Sequence, residues 1–123
     1  TKNGMGIRFS SLDVGATSRA TVGVKGMNFK DDDEVVVSIP VRHKEDDLAI
    51  FSSVGTGKKF PSTELPLQKR GGKGLICHKV SAAAGNIAAA ALVSDGDSVL
   101  LCGDKTSICV QATEINISSI NIA

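Results

Sequence analysis

The sequence is poor in aromatic residues, and this limits the kind of core it can build. Its 123 residues contain no Trp, no Tyr and four Phe, so aromatic residues make up only 3%. A core must therefore be assembled from Val, Ile, Leu, Ala and those four Phe, which is feasible because 41% of the residues are hydrophobic. Thirteen glycines and many β-branched residues favour strands joined by turns. The composition predicts a small all-β domain, or part of a larger repetitive one.

The sequence also lacks a long apolar run and an excess of charge of one sign. The longest apolar run, Ile87–Val93, is far too short to cross a bilayer, and no signal peptide is visible. We therefore expect a cytoplasmic protein without membrane contact. A net charge of only +1 argues mildly against a free-standing nucleic-acid module. The charges are nevertheless segregated, because residues 68–79 carry Lys and Arg without any acid, whereas residues 31–34 and 45–47 are acidic.

The residues that could bind a metal or a cofactor do not fall into a recognised pattern. Three cysteines in apolar surroundings, Cys77, Cys102 and Cys109, predict reduced and buried thiols. Cys102 and Cys109 are too far apart for a Cys-x₂₋₄-Cys pair, and only His43 and His78 could join them. A phosphate-binding loop is excluded around Gly74, since that position would have to be Ser or Thr. No serine-rich stretch has an associated histidine, so we expect no metal, no cofactor and no catalytic residues.

The most informative feature is an internal repeat of about 51 residues. Shifting the sequence by this amount lays residues 3–27 over residues 54–78 without a gap. Identical residues then superpose in six places: Gly4 on Gly55, Gly6 on Gly57, Phe9 on Phe60, Ser11 on Ser62, Arg19 on Arg70 and Gly23 on Gly74. A shift of about 50 lays Thr63-Glu64-Leu65 over Thr113-Glu114-Ile115. The chain therefore holds about two and a half copies, predicted at residues 1–45, 46–96 and 97–123 of one domain fragment.

Each copy is predicted to contain about four antiparallel strands, as in a propeller-like blade. The segments expected to form strands are Asp47–Ser52, Lys58–Phe60 after the turn at Gly55–Gly57, Gly74–Val80, and Asn86–Val93. Alanine-rich Asn86–Val93 could be helical on propensity alone, but its counterpart Glu34–Val41 has the valine pattern of a strand, so we predict strands for both. A blade cannot bury both faces without neighbours. Exposed edges of a partial disc invite pairing, so a homodimer is one expected outcome.

Gln68–Gly74 is the segment most suited to binding an anionic partner. It combines three cations with three glycines: Gln68, Lys69, Arg70, Gly71, Gly72, Lys73 and Gly74. Glycine N–H groups and basic side chains can reach phosphate oxygens, and nothing in the segment presents an ordered surface for reading bases. Lys58 and Lys59 add a second basic pair nearby, and Arg19 keeps the cation in the first copy. A solvated glycine turn with ordinary surface lysines is the alternative interpretation.

The repeat resembles the blades of the C-terminal domain of the A subunit of type IIA topoisomerases, the family of DNA gyrase and topoisomerase IV. Gln68–Gly74 is similar to the family's seven-residue box of Gln, two basic residues, two Gly, a basic residue and Gly. Upstream, Gly6-Ile7-Arg8-Phe9 and Gly23-Val24-Lys25-Gly26 resemble the preceding blade, and Thr113-Glu114-Ile115 resembles the start of the next. The resemblance implies a β-pinwheel, a propeller-like disc whose blades exchange strands and whose basic rim wraps duplex DNA.

Several further properties are implied by the resemblance alone. The box residues would contact DNA, while the family's catalytic tyrosine belongs to a separate N-terminal region. The partners would be duplex DNA, the remaining blades and N-terminal region of the parent A subunit, and an ATPase B subunit, in a nucleoid-associated complex. The leading hypothesis is thus a non-catalytic module that binds and wraps DNA in support of supercoiling or decatenation. The second hypothesis is a structural or protein-interaction module, which the modest net charge favours.

Overall fold

The computed structural model describes residues 1–116, which form nine short strands and three 3₁₀ turns. The strands are β1 (Met5–Gly6), β2 (Arg8–Phe9), β3 (Asp47–Ser52), β4 (Gly57–Pro61), β5 (Leu67–Gln68), β6 (Leu75–Ile76), β7 (Ile87–Val93), β8 (Ser98–Cys102) and β9 (Ser107–Gln111). The 3₁₀ turns cover Ser11–Asp13, Ser62–Glu64 and Ala112–Glu114. Residues 1–116 contain no α-helix, and no helix that could span a bilayer was found among them. The all-β prediction is confirmed for this part of the chain.

The sequence repeat recurs as a repeated piece of local structure. Each 3₁₀ turn follows a strand closely, and successive turns begin at Ser11, Ser62 and Ala112. Each turn also closes with the same backbone hydrogen bond, in which the residue after the turn donates to the turn's first carbonyl: Val14 to Ser11, Leu65 to Ser62 and Ile115 to Ala112. The three copies therefore turn the chain in the same way at equivalent places.

The largest sheet lies in the second copy and has the order β4-β3-β7. β3 pairs antiparallel with β4 from Asp47 opposite Pro61 onward, and with β7 from Asp47 opposite Val93 onward. Strand formation at Asp47–Ser52 and across most of Asn86–Val93 was predicted correctly. The alanine-rich β7 is a strand because its backbone groups are paired along β3, and this tertiary pairing overrides the weak helical preference of alanine.

Two other strand predictions were wrong in whole or in part. Glu34–Val41 forms no strand in the described structure. Its counterpart in the second copy, β7, is a strand because it pairs with β3, and no strand among residues 1–116 pairs with Glu34–Val41 in that way. Gly74–Val80 is a strand only at β6, because the next two N–H groups, of Cys77 and His78, both donate to the Gly4 carbonyl and so interrupt a regular ladder.

Neighbouring copies are linked by strand pairs that cross from one copy to the next. β1 of the first copy pairs antiparallel with β6 of the second, and β2 pairs parallel with β5. The Lys59 N–H of the second copy donates to the Asn116 carbonyl of the third, over 2.9 Å. The copies are therefore interlocked through their backbones as well as packed through their side chains.

The core consists of two clusters on opposite faces of β3. One face carries Ile50 against fully buried Phe60, and Val36 of the first copy packs onto this cluster. The other face carries Ala49 in a cluster whose remaining buried members include residues of the third copy: Val93, Ala112 and Ile115. Because successive side chains of a strand point to opposite faces, one blade is covered on both sides by its neighbours.

The cysteines do not share one environment, so the prediction of three buried thiols was wrong for two of them. Cys77 is buried in the first cluster, and its burial raises the pKa of the thiol. Cys102 and Cys109 are exposed. Cys102 lies opposite Ser107, two residues from Cys109, so both thiols lie on one face of the β8–β9 hairpin. That hairpin has no third strand among the described residues.

Asp33 is a buried carboxylate that holds the start of the chain onto the end of the first copy. Its Oδ1 accepts hydrogen bonds from the N–H of Asn3 at 3.0 Å and of Glu34 at 2.8 Å. Burial alone would raise the pKa of Asp33, but hydrogen bonds from the Thr1 side chain and these two N–H groups outweigh it and lower the pKa.

The lowered pKa makes stability dependent on pH at this residue. A carboxyl with a lower pKa in the folded state stabilises the protein above its unfolded pKa, and this contribution is lost as pH falls below about 4. We expect Asp33→Asn to cost about 1–2 kcal/mol at neutral pH, and the cost should decrease as the pH falls below about 4. Urea unfolding at several pH values measures the difference; a constant cost across that range would contradict the role assigned to the charge.

Candidate nucleic-acid interface

The basic loop, residues 68–74, lies at the junction between the first and second copies. It begins at Gln68, the last residue of β5, which lies opposite Phe9 of β2. It ends at Gly74, just before β6, which pairs with β1. Both ends of the loop are therefore anchored on strands of the first copy. β5 and β6 each pair across the junction rather than with each other, so the loop does not close a hairpin within the second copy.

The backbone of the basic loop is held by hydrogen bonds to the first copy. The Gly71 N–H donates to the Gly26 carbonyl at 2.8 Å, and the Asn28 N–H donates to the Gly72 carbonyl at 2.9 Å. Gly71 and Gly74 have φ values of 87° and 74°, a region that L side chains rarely adopt. The Gly71 N–H is therefore used inside the protein, which differs from the phosphate contact expected for the loop glycines.

Arg70 points toward the first copy rather than toward solvent. Its Nε donates to the Asp13 carbonyl at 3.2 Å, and its Nη1 donates to the Lys25 carbonyl at 2.7 Å. Hydrogen bonds with a charged donor are stronger than neutral ones, so the guanidinium joins two separate segments of the first copy to the loop. The side chain is half-buried. Arg70 fixes the loop, and this occupies part of the donor set that a phosphate would need.

Lys69 and Lys73 occupy the exposed positions of the loop. Both residues are solvent-exposed, one on each side of the Arg70–Gly72 turn. Lys69 and Arg70 also line an open cleft of about 280 Å³ together with Asp13. Two ammonium groups on a loop whose backbone is fixed form a compact positive surface, and its charge can meet a partner without reorganising the fold.

Arg19 lies in the equivalent turn of the first copy. It is exposed, and the turn is closed by a hydrogen bond from the Thr21 N–H to the Ser18 carbonyl. Its counterpart Arg70 is held by carbonyls of the copy before it, at Asp13 and Lys25. Arg19 is thus exposed at the position where Arg70 is half-buried.

Lys58 and Lys59 were expected to extend the basic surface, but the structure places both of them inside. Only 9% of Lys58 and 3% of Lys59 is exposed. The Lys59 Nζ donates to the Ala112 carbonyl at 2.8 Å and lies 4.0 Å from a carboxylate oxygen of Asp47 and of Asp95. Both lysines are buried because adjacent residues of β4 face opposite sides of the blade, and both sides are covered by neighbouring copies.

Lys58 lies beside the first core cluster. Its Nζ is 5.9 Å from the centre of the Phe60 ring. Burial lowers the pKa of this ammonium group, and the nearby Cys77 and Glu64 oppose the effect in part. The side chain also lines a cavity of about 320 Å³ that contains His78 and the hydrogen-bonded hydroxyl pair of Ser52 and Thr56. Within residues 1–116, no cluster of three or more His, Cys, Asp or Glu could hold a metal ion.

Comparison with known proteins identifies the family to which the chain belongs. The family model described as "DNA gyrase C-terminal domain, beta-propeller" matches residues 1–42 and 46–94. The chain belongs to this family. The match confirms the resemblance drawn from Gln68–Gly74 and the repeat around it, and most of the first two copies lies within the matched residues.

Relatives within the family cover most of the chain. It is 32% identical over 98% of its length to the DNA gyrase A protein of Deinococcus deserti, and 38% identical over 82% to that of Lawsonia intracellularis. The chain spans only 16% and 13% of those two proteins. The crystal structure of the C-terminal domain of DNA topoisomerase IV matches with a TM-score of 0.89 and 24% identity, over 96% of this chain and 37% of that one. This likeness confirms the β-pinwheel fold.

The residues that position the basic loop were not predicted from the sequence. Asp13, Lys25, Gly26 and Asn28 contact the loop, yet they lie at least 40 or so positions before it in the chain. They make the contact mainly through backbone groups, and a backbone carbonyl leaves no residue-type signal. The glycine repeated at positions 23 and 74 was a partial signal, because both residues have a positive φ that favours glycine, and at Gly74 the backbone of Gly6 also lies close.

Proposed function

We propose that this chain is a non-catalytic module that binds duplex DNA through its phosphates at the junction of the first two copies. Lys69 and Lys73 make the direct contacts, and Arg19 adds a cation at the equivalent turn. Gln68, Arg70, Gly71, Gly72 and Gly74 give the loop its shape and its fixed position. Because phosphate contacts carry no base information, the binding is tolerant of sequence.

The observation that carries the proposal is that some residues of the loop fix its position while others remain exposed. Its backbone and Arg70 are tied to the first copy by four hydrogen bonds, at Gly26, Asn28, Asp13 and Lys25. Lys69 and Lys73 remain exposed, and residues 68–79 carry no acid. A fixed loop loses little conformational entropy when it binds, so a small number of cations can contribute more of their interaction free energy.

The family relation suggests the larger assembly in which such binding would act. The gyrase relatives are much longer than this chain, and we propose that its partners are further blades and the N-terminal region of a parent A subunit, with an ATPase B subunit. In that setting the module would bend or wrap one DNA segment and present it to the enzyme, in gyrase or in topoisomerase IV. We propose a cytoplasmic, nucleoid-associated location on the same grounds.

Salt-dependent binding tests the proposal. We expect the double variant Lys69→Ala/Lys73→Ala to bind a duplex of mixed sequence about a hundredfold more weakly at about 50 mM salt, because two phosphate contacts are lost. The plot of log affinity against log salt should become less steep by about 1.8, which is about 0.9 for each contact. Fluorescence anisotropy over a salt series measures both quantities.

A matched control removes two exposed lysines elsewhere, Lys30→Ala/Lys105→Ala, and so changes the net charge equally. It should leave the salt dependence nearly as in the wild type. Equal effects of the two double variants would mean that binding depends on overall charge rather than on the loop. Absence of wild-type binding at low salt would support the second candidate function, a structural module in which Arg70 and the loop serve only to join two blades.

A further inference from the structure

Three exposed apolar side chains enclose the basic loop. Leu67 directly precedes it, and Leu75 and Ile76 directly follow it. The exposed fraction is 64% for Leu67, 38% for Leu75 and 59% for Ile76. A single exposed apolar residue is common on a protein surface, but several beside one charged surface indicate a site of interaction. Phosphate contacts by Lys69 and Lys73 do not account for this apolar surface.

Both flanking segments are held in strands. Leu67 lies opposite Arg8 in the pair β2–β5, and Ile76 lies opposite Met5 in the pair β1–β6. Because Met5 and Arg8 are three positions apart, the Cα atoms of Leu67 and Ile76 lie within about 20 Å of each other. With a rise of about 3.4 Å per base pair, about six base pairs of a duplex cover that distance. One short stretch of duplex is therefore long enough to contact both residues and the lysines between them.

The exposure of these positions agrees with the repeat. The counterpart of Ile76 in the first copy is Lys25, a residue type that is rarely buried, and Lys25 is itself exposed. Leu67 and Ile76 also lie at the junction between the first and second copies, where the strand pairs β1–β6 and β2–β5 are both formed. Contact between these two copies therefore leaves the two side chains exposed.

The phosphate and deoxyribose units of duplex DNA match this combination of charge and apolar surface. Residues 68–79 carry no acid, so the surface favours an anionic partner. The C–H groups of deoxyribose offer apolar surface next to each phosphate. We propose that Leu67 and Ile76 pack against deoxyribose rings beside the phosphates that Lys69 and Lys73 bind, an inference that rests on the function proposed above. These contacts contribute a part of the binding free energy that does not depend on salt, because burial of apolar surface releases no counterions.

An anionic lipid surface also combines phosphates with apolar groups, but the structure fits it less well. Proteins that lie on a membrane bury the apolar face of an amphipathic helix about 5–10 Å into the lipid, and aromatic residues are favoured at the membrane surface. The basic loop is flanked instead by aliphatic residues on backbones that are fixed in short strands, and the chain contains no Trp or Tyr. The surface therefore suits duplex DNA better than a membrane.

Removing the apolar surface tests the contact directly. Leu67→Thr/Ile76→Thr keeps a β-branched residue in each strand, so the fold should persist. We expect this variant to bind a duplex of mixed sequence about five- to tenfold more weakly at every salt concentration, with an unchanged slope of log affinity against log salt. Fluorescence anisotropy over a salt series measures both quantities. The control Leu100→Thr/Ile108→Thr removes the same side-chain types in the third copy, where they are 64% and 61% exposed, and should bind as the wild type does.

The possible results separate this contact from the proposed function. Equal affinities of Leu67→Thr/Ile76→Thr and the wild type would overturn the inference and leave the lysine contacts intact. Absence of duplex binding by the wild type would overturn it together with the proposed function. Vesicles of phosphatidylglycerol and phosphatidylcholine test the lipid alternative, and a variant that loses binding to vesicles but not to the duplex would also overturn the contact with DNA.

A change of charge at position 76 gives an independent test. Ile76→Lys introduces the residue type that the first copy has at this position, so the fold should tolerate it. An ammonium group beside the sugar reaches the neighbouring phosphate, so the slope of log affinity against log salt should become steeper by about 0.9. Ile108→Lys adds the same charge in the third copy, where Lys58 is the counterpart in the second, and should leave the slope nearly unchanged. Equal slopes for the two variants would overturn the proposal, because position 76 would then not face DNA.

Discussion

Replacing Gly74 with alanine is expected to destabilise the protein by about 3 kcal/mol or more, the largest effect of any substitution in the basic loop. Gly74 has a φ of 74°, so any side chain there is strained. A Cβ atom would also lie 2.7 Å from the Gly6 carbonyl carbon and closer still to its oxygen. Gly6 belongs to β1, which pairs with β6 immediately after Gly74, so relieving the clash would separate the two copies.

The other two glycines of the loop provide graded controls. Gly71 shares the unusual backbone conformation, with a φ of 87°, but the nearest atom to an added Cβ is 3.7 Å away. Gly71→Ala should therefore cost only the conformational strain, about 1 kcal/mol. At Gly72 the φ is ordinary and an added Cβ would lie 3.4 Å from the end of the Ile7 side chain, so Gly72→Ala should change stability by less than about 0.5 kcal/mol.

Urea unfolding of the three variants measures this order directly. Equal costs at the three positions would show that the backbone approach between Gly6 and Gly74 does not limit stability. The same variants should differ in DNA binding. Gly74→Ala should lose binding because the two copies separate. Binding by Gly72→Ala should be close to that of the wild type, since Lys69 and Lys73 stay in place.

Features that depend on nearby residues were predictable from sequence. β3, the following turn and β4 were found from one apolar run, two glycines and the returning residues, all within 15 or so positions. The basic loop was identified from its own composition, three cations and three glycines in seven residues, and the repeat located its counterpart in the first copy. The strand character of β7 came from comparing two copies rather than from its own composition, since alanine alone favours a helix.

Features that depend on which copies are adjacent were not predictable in the same way. The valine pattern of Glu34–Val41 is that of a strand, but a strand also needs a partner, and the described residues provide none. Cys102 and Cys109 lie in apolar sequence, yet a face of their hairpin is open. Arg70 has the residue type of a phosphate contact, but its donors meet backbone carbonyls of the first copy. In each case the sequence pattern involves nearby residues, whereas the structure depends on a contact with residues far away in the chain.

Lys58 and Lys59 are the clearest example of this limit. Two adjacent lysines after a glycine turn have the pattern of an exposed hairpin end. In the structure each lysine enters a different core, because the two faces of β4 meet the first and third copies. The Lys59 ammonium group then takes on a structural role, holding the start of the third 3₁₀ turn at Ala112.

Lys59→Ala is expected to destabilise the protein by about 3 kcal/mol, and Lys59→Met by about 2 kcal/mol. Both changes remove the charged donor to the Ala112 carbonyl and the ammonium group near Asp47 and Asp95, in a residue with almost no exposed surface. The Ala112 carbonyl keeps its hydrogen bond from the Ile115 N–H, so the expected cost is that of one hydrogen bond with a charged donor, about 1.5–3 kcal/mol. Alanine in addition leaves a cavity, whereas methionine retains most of the packing. Exposed Lys105→Ala should change the free energy of unfolding by less than about 0.5 kcal/mol.

Binding measurements on Lys59→Met decide between the structural role and the DNA contact that the sequence suggested. Under conditions in which the variant stays folded, its affinity for duplex DNA and the slope of that affinity against salt should equal those of the wild type, because a buried ammonium group cannot exchange counterions with a phosphate. A slope less steep by about 0.9 would show that Lys59 reaches DNA after all. That outcome would require β4 to separate from the third copy on binding, since only then could the amine leave Ala112.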